Sequence, residues 1–574
     1  MLHVKLNGTP VTGRIDGLES FTTTYSRDSE TGRTQKSYSN QLAFYDDGFN
    51  IIYPILVASP TGLNASINVE IWDDCCNAPV YRDFIIQGSA VDYCDNDCFV
   101  TCRMIRKDPD ELIYECLRKY QISDNRNGYF YYDPNGQPKF PLVPYCNELR
   151  PNWLMFTLII LALILVLTMK SLLPALFAVI ATITVALLAI CGVLKVIESV
   201  LNAIPSVNVD LTPGICDNLF QDPFLIFNDI KNFTDKLIEN FIGCGRKHPT
   251  PLYRQYFENA CQICGINKFN SSIFNNTSSD YYNALYFFAP ADASTRNPAA
   301  IIQENRPTLT MDAWISGIAS DFNAHWWVSQ GQLYFERKDY YLQQPPIYDA
   351  VANAETGDIL KGVCFTYNEG KQYAAININC QMDALDDVGN EDKVRYNYFR
   401  NYGTSPTWDG TSEKMLSYAP ARFRNDGVEP DVLSNFGSVG LINWLFNGQL
   451  NGTDDYLLMS KGTASSPKML IWDGQSYTDA IVKKYNGVQN MPAMVNSNQF
   501  DLYNRFHEID SPTLNPFRFW NAEFTVRMNC SIVKVLDVNR TVRLMTPYGA
   551  IVNARIKEIT ADFGNREITF QTEF

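Results

Sequence analysis

One long apolar block limits the folds open to this chain more than any other feature of its sequence. The block reads "LIILALILVLTMKSLLPALFAVIATITVALLAICGVL" and runs from Leu158 to Leu194. An apolar surface of that size must be buried in a bilayer or against protein, because it would aggregate if it were exposed to water. The segments on either side alternate polar and apolar residues, as strands of soluble proteins do. The block therefore interrupts a chain that otherwise has the pattern of a soluble protein.

The apolar region contains two runs, separated at Lys170-Ser171. Trp153–Met169 would form about 25 Å of helix and Leu172–Leu194 about 35 Å, so each is long enough to cross a bilayer, the first barely. Ser171 is placed to cap the second helix and Pro174 lies in its first turn, so a hairpin and one long kinked helix are both compatible with the sequence. The candidate membrane-insertion residues are Trp153, Phe156, Leu165, Lys170, Pro174, Phe177, Leu187 and Lys195.

Length and local pattern predict a β-rich, multidomain α+β fold. A chain of 574 residues is too long for one core. Period-two alternation and turn residues predict tube-like β-barrel or sandwich domains at both ends, with an inserted hydrophobic helical hairpin or long kinked helix. The expected division is an N-terminal β domain at 1–145, the hydrophobic helical insertion at 146–215, an α+β domain at 216–345, an irregular α+β or β domain at 346–522, and a C-terminal antiparallel β domain at 523–574.

Several elements are predicted from local signals alone. Alternating Leu2, Val4 and Leu6 before Asn7-Gly8 indicate a strand that enters a hairpin. The remaining predictions are a helix capped by Thr250 and closed by Gly265, a helix opened by Thr310, a hairpin that turns at Gln330-Gly331, and four strands after position 523.

Charge and residue patterns exclude several function classes. A formal net charge of −15 is contrary to the basic patch that a nucleic-acid binder needs, although it suits a surface past which DNA slides. No Walker loop, nucleophile elbow or histidine metal motif occurs. We therefore predict no catalytic, cofactor-binding or metal-binding residues, no cofactor and no enzymatic activity.

The fifteen cysteines are expected to be mainly thiols. The opening "MLHVKLNGTP" lacks the basic start and apolar core of a secretory signal peptide, so synthesis in a reducing cytosol is expected. Cys261 and Cys264 then act as small hydrophobic residues on the last turn of a helix. Cys94, Cys98 and Cys102 would share one face of a strand as buried thiols.

Four stretches resemble the tail hub proteins encoded by phages and prophages of Bacteroidetes. These stretches are "MLHVKLNGTPV…GLESFTTTYSRDSETGRTQKSYSNQLAFYDDGFNIIY", "YFENACQICGINKFNSSIF", "MDAWISGIASDFNAHWWVSQGQLYFERKDYY" and "LYNRFHEIDSP…WNAEFTV". The resemblance does not extend over about 146–215 or 436–500. It implies a virion protein made in the host cytoplasm and located in the tail baseplate, similar to the trimeric hubs of phage tails and contractile injection systems.

That resemblance also implies a role and partners. In such hubs, tube-like β domains of three chains form a pseudo-sixfold ring that joins the tail tube to a threefold spike. The expected partners are two further copies of this chain, the tail tube, the spike, the tape-measure protein and a host membrane, while DNA passes through the lumen without specific binding. The apolar runs would be buried among the three copies and enter the host membrane during genome ejection.

Two other functions remain open at the level of sequence. A membrane-anchored cell-surface or secretion-system component would use the apolar runs as an ordinary anchor. A cell-wall hydrolase is the third possibility, which turnover of a cell-wall substrate would favour. A structural bundle of helices that never leaves the assembly is also compatible with the apolar runs.

Overall fold

The computed structural model describes a β-rich chain of several sheets. It describes residues 2–147, 246–288, 309–381, 397–423, 457–459, 467–475, 482–484, 502–511 and 520–574, apart from positions 29–30, 40, 75–77, 95–96, 107, 125–129, 136, 355, 368–372, 404–409, 420–421 and 534–535. The β-rich α+β class predicted from the sequence is confirmed. The helical insertion expected at 146–215 lies outside the described residues, except for Cys146 and Asn147, which end a strand. The division into five domains stays a prediction.

The first sheet contains seven antiparallel strands from the N-terminal part of the chain, in the order β2-β1-β7-β8-β9-β6-β3. Its predicted opening hairpin is confirmed, because Asn7 and Gly8 adopt the positive φ angles of 49° and 82° that such a turn requires. Its strands are β1 Leu2–Leu6, β2 Thr9–Pro10, β3 Ile15–Asp16, β6 Gln41–Tyr45, β7 Ser66–Asp73, β8 Ala78–Asp92 and β9 Phe99–Arg106. Helix α1 (Asp46–Ile52), a π-helical turn (Tyr53–Val57) and a 3-10 turn (Gly62–Asn64) connect β6 to β7.

The second sheet contains eight strands drawn from the N-terminal part, the middle and the C-terminal end of the chain. Its central order is β16-β26-β27-β28-β25-β17, and the hairpin β4–β5 joins it through pairing of β4 with β27. The four strands predicted after position 523 are confirmed as β25 to β28. The bounds are β4 Thr22–Arg27, β5 Thr34–Tyr38, β16 Tyr348–Asp349, β17 Ile359–Tyr367, β25 Trp520–Arg527, β26 Thr541–Met545, β27 Ile551–Asp562 and β28 Glu567–Glu573. Helix α5 (Cys530–Val533) follows β25.

These two sheets share one hydrophobic core. Val4 and Phe84 of the first sheet belong to the same buried cluster as Phe524 and Phe570 of the second. Phe21, which precedes β4, lies edge-on to Phe84 with the ring centroids 6.1 Å apart. Burial of aromatic and aliphatic side chains from both ends of the chain therefore holds the two sheets together.

A second core lies in a central α+β unit built around three helices. The helices are α2 (Pro109–Lys119), α3 (Tyr253–Cys264) and α4 (Met311–Asp321), and they pack with the three-stranded sheet of β12 (Lys268–Asn270), β15 (Gln332–Arg337) and β14 (Ala324–Ser329). The predicted hairpin at Gln330-Gly331 is confirmed, with φ angles of 53° and 70°. A 3-10 turn (Lys338–Gln343) follows β15.

The predicted helix ends are partly right. Thr310 caps α4, where its hydroxyl accepts the Ala313 N–H at 3.3 Å, and Gly265 ends α3 in the left-handed conformation with φ 68°. The prediction that Thr250 caps α3 was wrong. The N-cap position is Leu252, which has no polar side chain, and its own backbone N–H donates to the Gln255 side chain at 2.8 Å. The Thr250 hydroxyl instead donates to the His248 carbonyl at 3.0 Å.

Smaller sheets complete the described part of the chain. Strand β10 (Leu142–Asn147) lies beside β11 (Arg246–Pro249) and β22 (Leu457–Met459), with β21 (Arg422–Phe423) next to β22. Two further sheets contain three strands each, namely β13 (Ala284–Phe287) with β23 (Lys468–Trp472) and β24 (Val482–Lys484), and β19 (Asn397–Asn401) with β18 (Ala375–Asn379) and β20 (Thr411–Met415). A π-helical turn (Tyr503–His507) and a 3-10 turn (Glu508–Asp510) lie before β25.

Candidate functional site

All eight candidate membrane-insertion residues lie outside the described residues, and they stay predictions. They are Trp153, Phe156, Leu165, Lys170, Pro174, Phe177, Leu187 and Lys195. The structure does describe the points at which the chain leaves for this segment and returns from it. Strands β10 and β11 pair antiparallel, with Leu142 opposite Pro249 and Tyr145 opposite Arg246. Opposite residues of an antiparallel pair lie about 4.5 to 5.5 Å apart, so the two ends of the segment are neighbours.

No helix within the described ranges is long and apolar enough to cross a membrane.

A disulfide ties together the two helices that stand on either side of this segment in the chain. Cys116 on α2 is bonded to Cys264 on α3, and 148 positions separate them. The expectation that Cys264 is a small hydrophobic thiol was therefore wrong, because α2 brings a second sulfur against the last turn of α3. Cys261 remains a thiol, and burial raises its pKa to about 12.

The expectation for the earlier cysteines was partly wrong. Cys102 is buried on β9, but Cys94 and Cys98 are exposed and lie beyond the end of β8, before β9 begins. The period-two pattern that would place all three on one face therefore does not extend through this connection.

The hairpin β4–β5 is the element that joins the sheets to the central unit. Its strand β4 pairs with β27 in the second sheet, with Tyr25 opposite Ile559. Its tip reaches the hairpin β14–β15 of the central unit, where the backbone N–H of Trp326 donates to the Thr31 carbonyl at 2.8 Å. Gly32 lies directly against the side chain of His325, since a Cβ atom on Gly32 would be 2.2 Å from the Cβ of His325. Gly32 also has φ +75°, so both its conformation and its surroundings require glycine.

A buried ion pair anchors this hairpin where β4 ends and the turn begins. Arg27 Nη2 donates to Glu573 Oε1 at 2.9 Å, and the two side chains are 1% and 3% exposed. Arg555 Nε lies 4.0 Å from the same carboxylate oxygen. Nδ1 of His325 lies 3.4 Å from Nη1 of Arg27. Burial, together with the charge of Arg27, keeps the His325 pKa well below its usual range. One carboxylate therefore faces two guanidinium groups, next to a neutral imidazole.

Further contacts fix the hairpin against α2. The Arg33 guanidinium lies 4.8 Å from the ring centroid of Tyr114, whose hydroxyl accepts the Val328 N–H at 2.8 Å. Burial raises the Tyr114 pKa to about 12, so this hydroxyl stays protonated. Lys36 Nζ lies 2.6 Å from Asp108, the N-cap residue of α2. Hydrogen bonds and ion pairs therefore hold β4–β5, α2 and β14 as one unit.

These contacts join the hairpin β4–β5 to the second sheet and to the central unit. Arg27 contacts both Glu573 and His325, and all three side chains are buried. Among the described residues, no group of three or more His, Cys, Asp and Glu side chains is placed to hold a metal ion. We call the set of Arg27, Gly32, His325, Arg555 and Glu573 the junction, and it is the candidate functional site. Sequence reasoning did not identify it.

Comparisons with known proteins give matches among solved structures. No family model matches the chain, and no curated protein matches it. A tail protein from Neisseria meningitidis MC58 is 8% identical, with coverage of 100% of this chain and 95% of that one and a TM-score of 0.33. The 43 kDa tail protein of prophage MuSo2 from Shewanella oneidensis is 9% identical, with coverage of 100% and 97% and a TM-score of 0.33. Prophage tail protein gp18 from Listeria monocytogenes EGD-e is 7% identical, with coverage of 99% and 94% and a TM-score of 0.33.

Proposed function

We propose that this chain is a structural protein of a phage tail, and that three copies form the baseplate hub that joins the tail tube to the central spike. The observation that carries the proposal is the pair of large sheets, of seven and eight strands, that one chain supplies. Three chains then supply six sheets. That number suits a ring that meets a sixfold tube on one side and a threefold spike on the other.

The joining of the two sheets supports a rigid ring. They share one core, and β4 from the first 30 residues pairs with β27 near the C-terminus. A subunit built in this way cannot separate its two sheets without exposing the buried aromatic side chains of their shared core. The junction extends the same rigidity to the central unit, which would contact the spike or the tape-measure protein.

The charge of the chain suits a conduit for DNA. The formal net charge of −15 repels phosphate, so DNA passes through the lumen of the ring without being held. The protein would be made in the host cytoplasm and then incorporated into the tail of the virion. Its partners would be two sister copies, the tail tube, the spike and the tape-measure protein.

The pairing of β10 with β11 limits how the apolar runs would enter the host membrane. Because the segment between them begins and ends at neighbouring points on the same body, it crosses a bilayer an even number of times. Two apolar runs, Trp153–Met169 and Leu172–Leu194, then correspond to two crossings. Of the two alternatives left open by the sequence, we propose the hairpin. Before ejection, the three copies would bury these runs against one another.

The mass of the purified protein in buffer without detergent tests the hub. We expect particles of about three times the 65.2 kDa chain mass, because sister copies shield the apolar runs. A monodisperse single-copy species that is soluble without detergent would contradict the proposal.

Membrane entry is tested separately with a peptide covering residues 150–200 and dye-loaded liposomes. The native peptide should release the dye, and a peptide with Leu165→Asp and Leu187→Asp should not. Intact liposomes with the native peptide would refute membrane entry and leave the hub untouched.

A further inference from the structure

A polar cleft in the central unit is lined by residues that belong neither to the junction nor to either large sheet. It has a volume of about 430 Å³, which is within the range of ligand-binding pockets. Three segments form it: the loop after β12, the turn after β15, and the π-helical turn before β25. The residues that line it and carry the argument are Ser278, Asp280, Arg337, Tyr340, Gln343 and Arg505.

The loop wall of this cleft is fixed before any ligand arrives. The buried Glu336 carboxylate accepts the Ser272 N–H at 3.1 Å, and the Ser272 hydroxyl also donates to it. The Ser271 hydroxyl accepts the Phe274 N–H at 3.1 Å. Further along, the Asn276 side chain accepts the Ser278 N–H at 3.0 Å. A ligand would therefore not have to order this wall, and less binding free energy would be lost.

The charged groups of the cleft neutralise one another. Arg337 Nη2 lies 2.9 Å from Asp339 Oδ2, and Arg505 forms an ion pair with Asp280 from the opposite wall. A charged ligand would have to compete with these pairs and would gain little net attraction. A neutral ligand with several hydroxyl groups can instead donate to the carboxylates and accept from the guanidinium groups while both pairs stay intact.

The cleft also offers an aromatic surface beside these polar groups. Tyr340 is partly exposed and lines the cleft, while Tyr281 and Phe506 form a buried floor with ring centroids 5.6 Å apart. Gln343 and Ser278 are exposed at the edge and supply amide and hydroxyl groups. A ligand that presents an apolar C–H face to a ring and hydroxyl groups around its rim matches this arrangement.

We propose that this cleft binds a neutral oligosaccharide. One sugar ring lies on Tyr340, and its hydroxyl groups exchange hydrogen bonds with Gln343, Ser278 and the two ion pairs. The cleft is open to solvent, which suits a segment of a longer glycan chain. This binding activity is independent of the hub proposal, since neither large sheet takes part in it.

Titration calorimetry on the full-length protein tests the proposal with three probes. The probes are tetra-N-acetylchitotetraose, maltotetraose and, as a charged ligand without sugar, tetraglutamate. We expect saturable binding of at least one sugar and no binding of tetraglutamate. Absence of saturable binding by both sugars at 10 mM, a concentration roughly tenfold above the 1 mM dissociation constant of a weak complex, would overturn the proposal. Tighter binding of tetraglutamate than of either sugar would also overturn it.

Four variants locate the sugar on the structure. Tyr340→Ala should weaken binding about tenfold or more, whereas Tyr340→Phe keeps the ring and should bind nearly as the native protein does. Gln343→Ala should weaken binding several-fold. Gln344→Ala is the matched control, because this neighbouring amide does not line the cleft. Thermal melting of each variant separates loss of binding from loss of folding. Equal binding by Tyr340→Ala and the native protein would place the sugar elsewhere and refute this site.

Discussion

Replacing Glu573 by Gln removes one negative charge from the junction and keeps the size of the side chain. In the native protein this carboxylate accepts Arg27 at 2.9 Å and faces Arg555 at 4.0 Å. Both Arg27 and Glu573 are almost fully buried, so water cannot replace the lost interaction. The variant leaves two guanidinium groups facing a neutral amide. We therefore expect the hairpin β4–β5 and the second sheet to open much more readily.

The size of the effect follows from the burial of the pair. Removing one partner of a buried ion pair costs about 3 to 5 kcal/mol, because the remaining charge is left uncompensated in a medium of low dielectric constant. Arg555 faces the same carboxylate at 4.0 Å, so its positive charge also loses a partner and adds to the imbalance. A cost of about 3 kcal/mol corresponds to a change of roughly a hundredfold in an opening equilibrium.

Hydrogen exchange measured by mass spectrometry reports this opening locally. Amides of β4 and β28 should exchange about a hundredfold faster in Glu573→Gln than in the native protein. Asp16→Asn is the matched control, because it removes the same charge from the Arg14–Asp16 pair, whose side chains are 70% and 41% exposed. This control should leave the exchange of both strands unchanged.

Two results would refute the reasoning about the junction. One is unchanged exchange of β4 and β28 in Glu573→Gln. The other is an equal effect of the exposed-pair control, which would show that burial does not set the cost. The double variant Arg27→Met with Glu573→Met adds a positive test. It should recover much of the lost protection, because it also removes the buried Arg27 charge and leaves only Arg555, whose side chain is 13% exposed, without this carboxylate.

Three further predictions concern single positions in the central unit and the junction. Cys116→Ser should destabilise the α2–α3 pair by at most about 5 kcal/mol, which is the chain-entropy estimate for a loop of 148 residues. A melting temperature equal to that of the native protein would contradict a structural role for the bond to Cys264. Asp321→Asn should stabilise the protein at pH 8 and not at pH 4. Burial raises the Asp321 pKa to about 7, so the stability of the native protein falls as the pH rises through that value. Equal gains in stability at both pH values, measured by urea unfolding, would refute this. Gly32→Ala should loosen the hairpin tip from His325, seen as faster proteolysis near position 30, whereas resistance equal to that of the native protein would contradict the close approach.

The sequence predicts the regular parts of this fold well because their signals are local. Alternation at Leu2, Val4 and Leu6, the turn at Asn7-Gly8 and the Thr310 cap each depend on residues within a few positions. The Leu252 cap was missed for a local reason as well. Thr250-Pro251 matches the residue types of an N-cap and a first helical position, but the Thr250 hydroxyl donates to the His248 carbonyl at 3.0 Å and does not cap α3. At the true helix start, the Gln255 side chain accepts the backbone N–H of Leu252.

The junction and the disulfide could not be predicted in this way, since both depend on contacts between distant residues. Arg27 and Glu573 are separated by nearly the whole chain, and each has the appearance of an exposed charge at the end of a strand. One local sign was present. Arg27 lies on the same face of β4 as Thr23 and Tyr25. The inward-facing side of the strand therefore ends in a charged residue that would need a buried partner.

Cryo-electron microscopy of purified tail particles tests the central claim most directly. The account predicts a threefold ring of this polypeptide between the tail tube and the spike, in which each copy contributes both large sheets and the strands β10 and β11 point toward a shielded apolar bundle. Absence of the polypeptide from the particle, or its presence as single copies outside the tube axis, would contradict the account.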